Sequence, residues 1–245
     1  MTLDSRCLPL LPALSLLLTA CAQPHIQRDG STYYLDEASG GTKTTRSHKG
    51  SPGNARAYDF VDLRKVIPGI SIDLRYATAE NVAGRPLYPR RMPCLLRRET
   101  ALKLKEAHET LRAQGYGLRV WDAYRPPEVQ EVLHRAGAHT HMFISPETMG
   151  WSRHCGGIAV DVTLVDANGQ EQRMPTGFDA GLHGASAKYR GGDAVIAHNL
   201  QLLQRAMLRA GFTQARAEWW HFDDGEFVNH PQPIVFGREL AIPAP

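Results

Sequence analysis

Apolar positions along the chain follow two periods. Between Arg98 and Gln114 the stripe Ala101, Leu102, Leu104, Lys105, Ala107, His108 and Leu111 falls close to a 3.6-residue repeat. Gly115 follows as a stop, so the segment predicts a helix. Ala194 to Ala210 predicts a second long helix, with Gly211 just past its end. Pro126-Pro127 opens a shorter one over Glu128 to Ala136, because proline suits a first helical turn. Ile158 to Val165 alternates instead. Ile158, Val160, Val162 and Leu164 face one way and Ala159, Asp161 and Thr163 the other, which predicts a strand carrying an acid on its opposite face. Alternation from Ile70 to Tyr76 predicts another strand, Leu118 to Trp121 a short one, and Phe212 to His221 a strand or extended segment. Asp166-Ala167-Asn168-Gly169 reads as a turn. Helices and short strands mix without regular βαβ alternation and without an internal repeat. The expected fold class is therefore α+β: one compact domain over residues 57–236, with a small, mainly antiparallel sheet packed against helices. Residues 237–245 are expected to be a C-terminal tail.

The pattern changes before residue 57. Leu8 to Ala20 is almost wholly apolar and follows a short segment containing Arg6. About 13 such residues are too few for a spanning helix but suit a signal-peptide core. The stretch ends Leu18-Thr19-Ala20-Cys21, small residues before a cysteine, as in a bacterial lipobox; a plain secretory signal cleaved nearby is the alternative. Residues 1–21 are thus expected to be a signal with Cys21 as the lipidated residue. The protein would then be exported and held by its acyl chains on the periplasmic face of a bacterial membrane. Ala22 in the following position favours the outer membrane. Residues 22–56 are polar, rich in Gly, Ser, Thr and Arg and without apolar periodicity, so a flexible tether is expected. Of the four cysteines, Cys94 and Cys155 remain in the mature domain, either as a disulfide or as two separate buried thiols.

Composition narrows the partners. The hydrophobic content of 42% is ordinary, and 28 basic against 25 acidic residues leave a formal net charge of only +3. No basic run with interleaved aromatics appears, so nucleic acid is not an expected partner. No protein partner can be inferred.

Three segments carry chemistry: Ser152-Arg153-His154-Cys155-Gly156-Gly157-Ile158-Ala159-Val160-Asp161, Glu218-Trp219-Trp220-His221-Phe222 and Val120-Trp121-Asp122-Ala123-Tyr124-Arg125-Pro126-Pro127. Two imidazoles and a carboxylate suit a catalytic zinc that keeps one position for water. A glutamate three residues before a ligand can take a proton from that water, and an arginine can stabilise the oxyanion. The His-x6-Asp spacing alone is weak, since such pairs arise by chance. His139-Thr140-His141 alternates and could place two imidazoles on one strand face, but no acid or cysteine stands at useful spacing from them.

These segments resemble the D-alanyl-D-alanine dipeptidase family, the vancomycin-resistance-type dipeptidases among the LAS-type zinc peptidases, over roughly residues 58–236. Ser-Arg-His-x-x-Gly-x-Ala-x-Asp and Glu-x-Trp-His are shared with related D,D-carboxypeptidases. Trp-Asp-x-Tyr-Arg-Pro-Pro and Glu-Trp-Trp-His-Phe point to the dipeptidase branch. The resemblance implies one zinc ion on His154, Asp161 and His221, with Glu218 as base towards the bound water and then acid towards the leaving amine. It implies that Arg125 stabilises the oxyanion, that Asp122 holds Arg125 in place, and that Ser152 bonds substrate or shapes its loop. Met174-Pro175-Thr176-Gly177-Phe178-Asp179 resembles the family's Met-Gly-Thr-x-Phe-Asp segment, which assigns Asp179 to the substrate's free ammonium. Pro175 stands where glycine is usual, and Cys155 where serine is common.

The implied activity is hydrolysis of D-Ala-D-Ala or a close relative by a zinc-bound water. A D,D-carboxypeptidase or endopeptidase acting on peptidoglycan stems would use the same chemistry in an open cleft. A non-catalytic lipoprotein that only binds wall peptide is the third class.

Overall fold

In the computed structural model the described residues are 25–29, 32–36, 58–140, 142–144, 150–181, 183–227 and 232–245. In chain order their main elements are β1 (His25–Asp29), β2 (Thr32–Asp36), β3 (Phe60–Asp62), α1 (Leu63–Val66), β4 (Ser71–Ile72), β5 (Leu95–Arg97) and α2 (Arg98–Arg112). They continue with β6 (Tyr116–Asp122), α3 (Pro127–Ala136), β7 (Ala159–Asp166), α4 (Ala194–Arg209), β8 (Phe212–Gln214), β9 (His221–Asp224) and β10 (Pro233–Ile234).

The centre is a five-stranded sheet in the order β4-β6-β7-β9-β8. Only the β4–β6 pair is parallel; the rest of the ladder is antiparallel. This is the expected α+β arrangement. Register explains the core. Leu118 lies opposite Leu164 and Val120 opposite Val162, so one face of β6 and β7 is continuously apolar. Against it pack Leu104 and Leu111 of α2 and Leu200, Leu203 and Met207 of α4, all in one buried cluster. Each buried leucine of this kind stabilises the fold by about 2 kcal/mol. The opposite face of β7 is covered too: Ala159, Asp161 and Thr163 are all buried. The three predicted helices form within two residues of their expected ends. In α2 the buried face is Thr100, Ala101, Leu104, Ala107, His108 and Leu111, while Leu102 is 52% exposed. His108 is satisfied by accepting from the Leu118 amide at 3.2 Å through Nδ1.

Four expectations change. The strand expected over Ile70 to Tyr76 is only Ser71–Ile72, because the chain leaves the sheet and coils into a 3-10 turn at Arg75–Ala77 that buries Tyr76 completely. Phe212 to His221 is not one extended run: β8 ends at Gln214 and β9 begins at His221, paired as a hairpin. Within the expected tether, β1 and β2 pair, and β2 continues onto β10. Thr32-Tyr33-Tyr34 carries β-favouring residues that a count of polar positions passes over. Residues 237–245 are not a loose tail either. Gly237–Leu240 forms a 3-10 turn, Ile242 is buried, and Glu239 accepts a hydrogen bond from the Tyr58 hydroxyl at 2.8 Å.

Cys94 and Cys155 are both buried free thiols in different core clusters. Ala138–Thr140 is a 3-10 turn rather than a strand, and His141 lies outside the described residues. So do residues 1–24, including Cys21.

Candidate active site

His154 is placed by its own turn. Residues Arg153–Gly156 form a 3-10 turn capped by Ser152, whose Oγ accepts from the His154 amide at 3.4 Å. The turn closes at Gly157 with φ +69°, where a Cβ would stand 2.1 Å from the Phe60 ring. Only glycine permits both the conformation and the approach. Arg97 clasps the same loop from below, donating to the carbonyls of Gly156 at 2.8 Å, Tyr58 at 2.8 Å and Pro233 at 3.0 Å.

Sheet register supplies the next two residues. Asp161 on β7 lies directly opposite His221 on β9. Directly opposed side chains share a face of the sheet. The connection that precedes His221 is pinned by the buried Trp219 and Trp220, and Trp219 Nε1 donates to Thr176 Oγ1 at 3.0 Å. Glu218, one residue earlier, lines the same cavity as His154, Asp161 and His221. Among the described residues no donor reaches its carboxylate, and burial raises its pKa, with His221 opposing and Asp161 adding.

Three donor atoms converge. His154 Nε2 is 3.1 Å from His221 Nδ1 and 3.3 Å from Asp161 Oδ1, and His221 Nδ1 is 2.9 Å from that same oxygen. An ion with tetrahedral bonds of about 2.0–2.1 Å separates its ligand atoms by about 3.3 Å, so these spacings are those of a shared cation. The outer nitrogens support this. His154 Nδ1 lies 2.6 Å from the Ala123 carbonyl, and His221 Nε2 lies 3.1 Å from Asp223 Oδ1. In the neutral form that a metal ligand takes, each imidazole has one proton, and these acceptors would hold it on the far side of the ring, leaving a lone pair directed at the convergence. The donor set therefore fits a divalent cation, and imidazole with carboxylate suits zinc.

Arg125 leads into α3 and is 5% exposed. Its guanidinium meets Asp122 Oδ2 through Nε at 2.8 Å and Nη2 at 2.7 Å, donates from Nη1 to Gln130 Oε1 at 2.8 Å, and lies 3.5 Å from Asp161 Oδ2. The Tyr76 ring packs beneath it at 4.9 Å. Asp122 is fully enclosed and does not line the cavity. Its oxygens are taken by Arg125, by the Tyr88 hydroxyl at 2.5 Å and by the Ala123 amide at 3.0 Å, which leaves Asp122 to hold Arg125 rather than to touch substrate. Ser152 does line the cavity while capping the His154 turn.

Asp179 stands across the cavity at φ +50° and accepts from the Tyr76 hydroxyl at 2.8 Å. Burial pushes its carboxyl up to about 7, against the opposing pull of Tyr76 and Arg125. Its neighbour Phe178 is wedged edge-on against Tyr76 and Trp121, which fixes the segment despite Pro175. The cavity holds about 350 Å³, at the small end for ligand pockets.

Four residues of the site were not singled out in the sequence: Tyr76, Gln130, Arg153 and Asp223. Only Asp223 had a readable signal, since His221-x-Asp223 on a strand puts both side chains on one face. Burial alone would raise Asp223, but His221 and Arg153 hold it at about 2.

A family model described as D-ala-D-ala dipeptidase matches residues 56–235. The D-alanyl-D-alanine dipeptidase of Escherichia coli is 32% identical over 174 residues, covering 71% of this chain and 88% of that protein. That of Enterococcus faecalis is 28% identical over 195 residues, covering 72% and 95%. That of Streptomyces coelicolor is 27% identical over 186 residues, covering 67% and 90%. With the site's geometry set beside this match across nearly the whole ordered domain, the chain belongs to the D-alanyl-D-alanine dipeptidase family of peptidases.

Proposed function

We propose that this protein is a zinc metallopeptidase hydrolysing D-alanyl-D-alanine or a closely related D,D-dipeptide, with one ion per chain held by His154, Asp161 and His221. The observation that carries the reading is the 2.9–3.3 Å convergence of two imidazole nitrogens and a carboxylate oxygen beside Glu218 in a small cavity with a carboxylate at its far side. Membership in a family whose relatives are named D-alanyl-D-alanine dipeptidases supports the substrate.

When bound, the ion supplies Lewis acidity, polarising the scissile carbonyl and making water at that position more acidic. Glu218 takes the proton from the attacking water as the C–O bond forms, and then delivers it to the leaving amine as the C–N bond breaks. Its raised pKa suits both transfers. Arg125, locked by Asp122 and Gln130, presents its charge to the carbonyl oxygen as that atom becomes anionic. Asp179 receives the substrate's ammonium, and Ser152 holds the His154 turn in shape. A dipeptide fits because a blocked or extended amino end would leave Asp179 buried without its partner.

The experiment is an end-product assay of zinc-reconstituted protein on D,D-, L,D- and L,L-dipeptides and a stem pentapeptide. Release of free D-alanine from the D,D-dipeptide alone is the expected outcome. Preferential trimming of the pentapeptide would replace the reading with that of a D,D-carboxypeptidase.

The proposal extends to location. Leu8–Ala20 followed by Cys21 supports an exported, lipid-anchored protein on the periplasmic face, outside the cytoplasm as wall peptides are. Incorporation of labelled palmitate that is lost in Cys21→Ala is the expected result; equal labelling in both would contradict it.

A further inference from the structure

We infer that Asp223 and Arg153 form a positioning pair for His221, setting its tautomer and orientation for the metal. The inference rests on the reading that His221 is a ligand. His221 turns Nδ1 towards Asp161 and His154 and Nε2 towards Asp223 Oδ1 at 3.1 Å. The other oxygen of Asp223 receives Arg153 Nη1 at 2.6 Å. Asp223 is two residues beyond His221 on β9 and so shares its face of the strand, while Arg153 immediately precedes His154 on the capped turn. The guanidinium thus bridges the two separate elements that bring in the two histidines.

The two imidazoles are held differently. His154 donates to a neutral backbone carbonyl, that of Ala123 at 2.6 Å. His221 donates to a carboxylate, and an anionic acceptor makes a charge-assisted bond about twice as strong as a neutral one. That bond places the ring proton on Nε2 and makes Nδ1 the better donor. Arg153 fixes the rotamer of Asp223 so that one oxygen faces His221. Side-chain exposures of 12% for Asp223 and 29% for Arg153 leave both interactions only partly screened.

The test uses the full chain and zinc itself. Zinc affinity is measured by competition with a chromogenic chelator for the parent, Asp223→Asn, Arg153→Met, the double variant and His221→Ala. Thermal melting of each metal-free form checks the fold, and visible spectra of the cobalt-substituted forms report the ligand field at His221. Asp223→Asn is expected to weaken zinc about 10-fold to 100-fold and to shift the cobalt bands, as loss of such an outer hydrogen bond does. Arg153→Met is expected to give a smaller loss in the same direction. The double variant should bind no more weakly than Asp223→Asn alone, because Arg153 acts through Asp223.

Parent-like affinity and cobalt spectrum in Asp223→Asn, while His221→Ala abolishes binding, would overturn the inference and leave the ligand assignment standing. Undiminished binding in His221→Ala would overturn both. Should Asp223→Asn fail to fold, Arg153→Met still decides: unchanged affinity in that variant contradicts the pair.

Discussion

Asp122→Asn removes one charge from the most enclosed ion pair near the site and changes almost nothing in volume. The side chain of Asp122 is wholly buried and that of Arg125 is 7% exposed, with two guanidinium contacts at 2.7 and 2.8 Å. An amide in that place has one oxygen and one NH2. Whichever way it points, the NH2 meets a donor: the guanidinium of Arg125 on one side, or the Tyr88 hydroxyl and Ala123 amide on the other. The result is a buried cation whose remaining anionic neighbour, Asp161, lies 3.5 Å away, and a donor facing a donor. Breaking a buried pair from one side costs about 3–5 kcal/mol. That is a large part of the roughly 5–15 kcal/mol available to a domain. The control is Asp59→Asn, whose partner Arg98 is reached at 3.0 Å with both side chains more than half exposed. An exposed pair of this kind contributes about 0–1 kcal/mol. Urea unfolding followed by far-UV circular dichroism should show a large midpoint shift for Asp122→Asn at unchanged slope, and almost none for Asp59→Asn. A loss below about 1 kcal/mol for Asp122→Asn would refute the claim that Arg125 depends on this carboxylate.

Other expectations follow from the same contacts. Glu218→Ala should retain zinc while kcat falls by about 10²–10⁴, measured by metal content and turnover on one preparation. Asp179→Ala should weaken a free D,D-dipeptide far more than its N-acetyl derivative in KM comparisons; equal losses would count against its role. Asp179 is raised to about 7, and a carboxyl raised on folding contributes stability that is present below the unfolded pKa and lost as pH rises through the folded one. The metal-free parent should therefore lose stability between about pH 4 and pH 7, and Asp179→Asn should flatten that window in urea midpoints. Arg97→Met should leave three backbone carbonyls without their donor and destabilise the fold by about 3 kcal/mol in the same denaturation assay.

Local periodicity made α2 and β7 legible, because each buries a regular stripe or alternating face, while Pro126-Pro127 marked the start of α3 and Gly211 the end of α4. It failed where the chain breaks its own period for the sake of the site. Ile70 to Tyr76 alternates well enough for a strand, yet coiling after Ile72 is what brings Tyr76 under Arg125 and against Asp179. Phe212 to His221 looks continuous, yet the reversal between β8 and β9 is what presents Glu218 beside His221. The candidate ligand set was suggested in the sequence only by motif resemblance, since a histidine six residues from an aspartate means little until register pairs Asp161 with His221. Gln130 and Arg153 act through contacts with residues on other elements or beyond the helical turn, which no spacing rule encodes.

The central claim is that His154, Asp161 and His221 hold one divalent ion. Metal analysis of purified protein, alongside His154→Ala, Asp161→Ala and His221→Ala, tests it directly. The account predicts one zinc per chain in the parent and loss of zinc in each variant without loss of the helical circular-dichroism signal. Stoichiometric zinc retained in any of the three would contradict it.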